Sequence, residues 1–511
     1  MNKKSILFVA VVCLLAMITS CSQQSGYEKA IPANATVVTS INAKSLAEKA
    51  DLGNKSNKEA LNKLSDAMKK GMSASTYQLV EEIIKDANKS GIDFKMPIYI
   101  FASPDFKSTP VIAKVSDAAN LIATVEAMEN EKVASTLAEG DGYQYSLINS
   151  RVFMGFNTTT LLITEYWSNS QLEQIKTQTA ALFKQDDNAA ISSKATFKQM
   201  NELDGDIKFM VANLTEMYNT YANQTTGLTP EDIDISKISI IGDLSFEKGK
   251  IVCNFNPYSE DEKLMKLLKE KSENMYNIEN SFLKYFPKST LSLLSMGVNG
   301  KEVYNQLTSI PEVKKNLSLE NSKLLEAVCN AVDGDVTFGL TNVSMSNQPA
   351  FLMHAELKDA SVIDQICEQM GNEIAKLDEH EYVYKDRKFN VFFGVRDKLF
   401  YLTNDETTYK NIGKAADPSV KEKKYTSDFS GHKAAFVIDI KAIMQLPAVK
   451  MLLSYASTGE NSYIQPLCEK LDYFICISNE QNGATLTLQL TDKDTNALKQ
   501  AIDAAMAYAG M

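Results

Sequence analysis

The chain has 511 residues, 44% of them hydrophobic and 23% charged, with a formal net charge of −11. That length can bury two or three cores, and the composition is ordinary for a globular protein. The acidic balance opposes phosphate backbones and anionic headgroups, so no nucleic-acid partner is expected.

The first element is a leader. Lys3 and Lys4 precede an apolar stretch from Ile6 to Ile18 that is too short to span a bilayer as a stable helix. Thr19 and Ser20 then stand directly before Cys21, a pattern that resembles a bacterial lipobox. In such a motif the thiol accepts a diacylglycerol and becomes the new N-terminus, and several acyl chains on one residue suffice for stable anchoring. Residues 1–20 are therefore expected to be a signal peptide and Cys21 the lipid attachment point. Ser22 in place of Asp, as in other Gram-negative lipoproteins, points to the outer membrane. The absence of an acidic run in Gln23-Gln24-Ser25-Gly26 points to its periplasmic side. No later stretch approaches 18 apolar residues.

Beyond the leader, strands and helices alternate. Residues 36–41 form a strand opened by Pro32, and 57–88 form a helical region. Residues 97–102 and 111–115 make a hairpin turned at Pro104-Asp105, and Asp117 caps a helix with Leu121, Val125 and Met128 on one face. Three short strands follow at 143–146, 151–156 and 160–164, then helices at 171–183 and 197–203. A strand at 207–212, a short helix, and a hairpin of 238–246 with 250–255 turned at Glu247-Lys248-Gly249 complete the run. Two hydroxyl-led acidic segments, Ser259-Glu260-Asp261-Glu262 and Thr491-Asp492-Lys493-Asp494, are expected to open the closing helices.

The same layout recurs. Tyr143-Gln144-Tyr145, Val152-Phe153-Met154-Gly155 and Thr164 match Tyr382-Val383-Tyr384, Val391-Phe392-Phe393-Gly394 and Thr403 without a gap. Asp117-Ala118, Glu126 and Met128 match Asp359-Ala360, Glu368 and Met370. Pro32 and Ser40 match Pro287 and Ser295, and Gly205 and Val211 match Gly431 and Val437. So long a period means tandem domains rather than a solenoid. The expected architecture is α+β, with two tandem homologous domains at 21–280 and 281–511, each a mostly antiparallel sheet with packed helices.

Chemical signatures are sparse. His354, His380 and His432 have no helical ligand spacing, and the five later cysteines (Cys253, Cys329, Cys367, Cys468 and Cys476) contain no C-x-x-C. Cys329 and Cys367 lie in apolar helical patterns and read as small core residues. Ser281-Phe282-Leu283-Lys284 and Ser430-Gly431-His432-Lys433 fit S-x-x-K but lack the companion motifs of a serine enzyme. Asp204-Gly205-Asp206 and Asp333-Gly334-Asp335 read as turns, since neither carries calcium-loop spacing. No catalytic residue, metal ligand or cofactor is assigned. Trp167, the only tryptophan, aligns with Glu406 in the second half, so it reads as partly exposed, either packed locally at a domain edge or a candidate ligand or partner contact; Tyr218 and Tyr221 are similar, weaker candidates.

The lipobox, the run Ile31-Pro32-Ala33-Asn34-Ala35-Thr36-Val37-Val38-Thr39-Ser40-Ile41-Asn42 and the following Lys44-Ser45-Leu46 resemble a Bacteroidetes lipoprotein family catalogued as domain of unknown function 4836. The resemblance implies an envelope lipoprotein without an assigned activity, and it transfers no functional residue beyond Cys21. The expected role is non-enzymatic binding or scaffolding in the periplasm. Membrane contact would run through the N-terminal lipid, and the partner would be an envelope protein or a small apolar ligand. An envelope-polymer hydrolase or transferase with its site in one half, and a carrier of an apolar ligand, are the alternatives.

Overall fold

The computed structural model describes residues 26–51, 69, 72–212, 233–343, 348–370, 374–386, 389–456 and 464–509. Cys21, Tyr218, Tyr221 and most of the first half of the expected 57–88 helical region lie outside them. The protein is α+β. It divides into two compact units, one of Met1–Leu214, Ser239–Lys248 and Asp494–Met511, the other of Thr215–Ile238 and Gly249–Lys493.

The first unit carries strands β1 (Val37–Ile41), β2 (Ile98–Ala102), β3 (Val111–Lys114), β4 (Ala138–Glu139), β5 (Gln144–Ile148), β6 (Val152–Phe156), β7 (Thr160–Glu165), β8 (Ile207–Val211) and β9 (Ser239–Glu247). Their pairings are all antiparallel and give the order β4-β5-β6-β7-β3-β2-β1-β8-β9. β1 is central, with Val38 facing Phe101 on one side and Met210 on the other. Its alternation fits that place, since Val38 and Ser40 are buried and their neighbours are less so. Helix Ala118–Asn130 covers part of the sheet as expected, with Asp117 capping the amides of Ala119 and Asn120 at 2.9 and 3.1 Å. Leu121 and Val125 on that helix, fully buried, join Ile83, Val115, Phe156 and Leu161 in one core.

The second unit carries β10 (Lys250–Tyr258), β11 (Ser292–Asn299), β12 (Val332–Asn342), β13 (Ala350–Leu357), β14 (Ile374–Asp378), β15 (Glu381–Lys385), β16 (Asn390–Arg396), β17 (Leu399–Thr403), β18 (Ala434–Ile438), β19 (Leu471–Ser478) and β20 (Ala484–Leu490). These pairings are also antiparallel, in the order β14-β15-β16-β17-β13-β12-β11-β18-β19-β20-β10. β11 is the counterpart of β1, with Leu293 between Gly339 and Val437. The core beneath it gathers Phe286, Leu293, Leu352, Tyr401, Phe429 and Val437.

Several local readings change. Asp261, not Ser259, caps helix Glu262–Glu273, accepting from Lys263 and Leu264 N–H groups. The last helix begins at Ala497, and Asn496 accepts from the Leu498 amide, so Thr491 is not its cap. Asp333-Gly334-Asp335 lies inside β12 rather than in a turn. Its Asp335 is buried and accepts from the backbone amides of Glu279 and Ser281, tying the segment before β11 to the sheet. Asp206 is also buried and takes a salt bridge from Lys49 at 2.7 Å, the Phe246 amide at 2.7 Å and the Ser45 hydroxyl. An acid in a turn-like triplet thus closes a junction between helix Ala43–Lys49, β8 and β9. Burying that carboxylate is tolerable because each contact supplies a donor or a charge.

The chain's last helix, Ala497–Ala509, packs in the first unit, where Leu498 and Ile502 meet Ala47 and the fully buried Ala50. Deleting residues 497–511 is expected to raise amide hydrogen exchange in Ala43–Lys49 while leaving β11, β12 and β18 unchanged. Uniform protection loss across both units, or none, would contradict this arrangement.

Candidate functional site

In the second unit the sheet is incompletely covered beside β13 and β17. β17 leads into a helix of five residues, Glu406–Lys410, capped by Asp405, whose carboxylate accepts from the Thr408 amide and hydroxyl at 2.7 and 2.6 Å. The chain then turns through Gly413 (φ 87°) and the loop ending in Ala415 and Ala416. Between this loop and the sheet lies a cavity of about 330 Å³, lined by Tyr285, Leu352, His354, Ile412 and Ala416 among others. That is the lower end of the size of small-molecule sites.

The first unit shows why space remains. There β7 leads into the much longer helix Asn169–Lys184, which buries Leu172, Ile175 and Leu182. The strand register matches between the units, with Phe153 facing Thr164 and Phe392 facing Thr403. Two residues before each threonine, Leu162 faces Ile112 and Tyr401 faces His354. A fully buried isoleucine in one unit thus occupies the place of an almost fully buried histidine, 1% exposed, in the other.

His354 is held by Phe282, Tyr285 and Phe286, with ring centroids 5.1 to 5.8 Å away. Its Nδ1 lies 3.0 Å from the Phe400 carbonyl oxygen. A carbonyl only accepts, so Nδ1 carries the proton and Nε2 presents a lone pair. Nε2 has no hydrogen-bond partner among the described residues. His354 is among the residues that line the cavity. Burial pushes the imidazole pKa down to about 4, only partly offset by the Phe400 bond, which keeps the ring neutral at pH 7.

The other histidines lie elsewhere. His380 (φ 55°) follows β14 and pairs through Nδ1 with Asp364 at 2.6 Å; Asp364 also accepts from Tyr382 Oη at 2.5 Å. His432 Nδ1 bonds the Ser478 carbonyl at 2.6 Å. Cys329 and Cys367 are buried, and burial raises both thiols, Cys367 to about 11 with Asp364 adding to it. Lys433 Nζ donates to the Met275 carbonyl and Gly431 has φ 84°, consistent with a turn in the second S-x-x-K string. Among the described residues no group of three potential ligands could hold a metal ion, and no helix is long and apolar enough to cross a membrane.

Trp167 stands at the end of β7, 68% exposed, with the Arg151 guanidinium 5.8 Å from its ring. It is in the first unit, so the structure does not bring it into the cavity of the second. Sequence reasoning placed His354 in a strand but assigned it no site. The available signal was a histidine in an apolar strand whose topological equivalent is isoleucine.

An α+β protein built on antiparallel sheets, with a small cavity of mixed lining in one unit, is the class that these features define. The profile described as Domain of unknown function (DUF4836) matches residues 27–498, and the chain belongs to that family. No curated protein matches the sequence. Among solved structures, crystal form III of TP0453 aligns at 8% identity and a TM-score of 0.25, covering 50% of this chain and 89% of that one. Crystal form IV of TP0453 aligns at 8% identity and 0.26, covering 46% and 81%. Neither alignment bears on the site.

Titration of the buried histidine predicts a stability signature. The unfolded chain binds the His354 proton below about pH 6.5 and the folded chain only below about 4, so stability falls as pH drops through that window. The expected loss is about 3 kcal/mol in the second unit's unfolding free energy. Urea titrations at pH 7 and pH 4 should show this component in the wild type and not in His354→Gln, which has no ionisable group there.

Proposed function

We propose that the chain is a lipid-anchored, non-enzymatic binding protein of the bacterial cell envelope, tethered through Cys21 to the periplasmic face of the outer membrane, which holds a small ligand in the second unit. The observation that carries this reading is the 330 Å³ cavity lined by the almost fully buried His354, whose Nδ1 is committed to the Phe400 carbonyl while Nε2 has no hydrogen bond among the described residues. Leaving a polar atom without a partner in the interior costs free energy, and a ligand that satisfies it recovers that cost. The anchor is supported by the leader's charge, apolar length and small residues in register with Cys21.

We also infer that the chain is a tandem duplication with a boundary near residue 280. Nine strands in the same order in each unit support it, as does the shared register of β6 with β7 and β16 with β17. The register requires one change to the sequence alignment. Leu147 faces Phe153, and Val383 faces Phe392, so the two Tyr-x-Tyr strings are offset by three residues and are not equivalent. On this reading each copy supplies ten strands and ends in a helix, Glu262–Glu273 or Ala497–Ala509, and each of those helices sits in the unit begun by the other copy.

Two substitutions test the two parts separately. Cys21→Ala should move the protein out of the membrane fraction and remove the acyl mass seen by mass spectrometry of the intact chain. Ala415→Trp, at an exposed rim position, should fill the cavity mouth without disturbing the core. Native mass spectrometry of the wild type released gently from its membranes should show a bound small molecule that Ala415→Trp lacks. An identical adduct on both proteins would remove the cavity from the reading.

A further inference from the structure

We infer that the second unit's cavity selects an uncharged, largely apolar molecule bearing one hydroxyl or N–H group, which donates its hydrogen to His354 Nε2. This inference rests on the cavity reading above and goes beyond it by naming the ligand chemistry.

Three features of the lining set that chemistry. First, the acceptor is fixed. Nδ1 is committed to the Phe400 carbonyl, so a neutral ring can offer only a lone pair at Nε2, and the complement of a lone pair is a donor. Phe282, Tyr285 and Phe286 pack against the ring. Second, the surroundings are apolar: Tyr285, Leu352, Ile412, Ala415 and Ala416 flank the histidine. A ligand charge brought to His354 would be desolvated, and Lys414, the charged side chain of the lining, stands exposed on the loop. An anion would in addition face the Nε2 lone pair. Third, the polar groups at the loop side are largely engaged with one another. Thr408 donates to Asp405, the Asn411 amide donates to the Thr407 carbonyl, and Lys414 Nζ lies 3.3 Å from Asn411 Oδ1. The rim therefore presents a mixed, solvated edge, and His354 is the specific contact.

The comparison with the first unit gives this weight. There the same place in the sheet holds Ile112, fully buried, with no polar atom to satisfy. The fold thus accepts an aliphatic residue at this position, and a histidine is not needed to build the sheet.

The test uses the full chain and two probes of nearly the same shape, 4-methylphenol and 4-methoxytoluene, which differ in having or lacking the donor. Titration calorimetry should give 4-methylphenol the tighter binding by roughly tenfold, the scale of one hydrogen bond at a buried acceptor. The 15N resonance of His354 Nε2, one of three histidines in the chain, should shift with the phenol and far less with the ether. His354→Ile, which copies the first unit's residue, should erase the preference while retaining the ether. If that variant fails to fold, His354→Met, which offers only a weak acceptor, replaces it with the same two probes, and Ala415→Trp should abolish both bindings. Equal affinity of the two probes for the wild type, or a preference that survives at position 354, overturns the donor assignment and leaves the cavity reading standing. Failure of both probes to bind, or their unchanged binding to Ala415→Trp, overturns both.

Discussion

Everything else in each unit depends on one strand being paired on both edges by segments far away in sequence. β1 needs β2, about sixty residues on, and β8, about one hundred and seventy residues on. β11 needs β12 and β18 in the same way. Closing such loops costs chain entropy before any contact returns it, so the sheet forms as a cooperative whole. The alternation within these strands makes the register unforgiving, because a slip of one residue would turn Val38 or Leu293 away from its core. Buried carboxylates then fasten the strand ends. Asp206 and Asp335 each collect donors from segments that the sheet alone would leave loose.

That architecture leaves room for a cavity in the second unit. The sheet carries its covering helices on connections whose length it does not dictate. After β7 the connection is a helix of sixteen residues that buries its apolar face; after β17 it is a helix of five. The missing turns uncover the surface around β13, and the loop from Asn411 to Ala416 roofs it without filling it. His354 then becomes tolerable where Ile112 would otherwise be required, because one ring nitrogen is satisfied by Phe400 and the other has space beside it.

Much of the sheet was legible in sequence, and the reasons are local. Residues 36–41, 97–102, 151–156 and 160–164 alternate or cluster apolar side chains between turn signals, and each is a strand. Asp117 is a cap because its carboxylate reaches two free amides. What was not legible depends on the third dimension. Asp206 and Asp335 look like turn residues because glycine stands beside them, and only the fold shows which amides and lysine converge on them. The two Tyr-x-Tyr strings pair at different rungs relative to Phe153 and Phe392, which only the ladders show. Placement of the last helix in the first unit leaves no trace in its own sequence, since an amphipathic face does not name its partner. The cavity was invisible for a similar reason: an apolar lining residue and an apolar core residue obey the same pattern.

The most informative residue is therefore a conflict between pattern and position. A histidine stands in an apolar strand at a place where the other unit holds isoleucine. It replaces a side chain that would gain from burial with one that loses hydration and must give up its proton to fold. A fold under no other demand would be more stable with the isoleucine. Tolerating the cost beside a space of small-molecule size makes sense if the acceptor is used when that space is occupied. On the proposed duplication, one copy keeps the packed solution while the other gives up part of its core to a cavity.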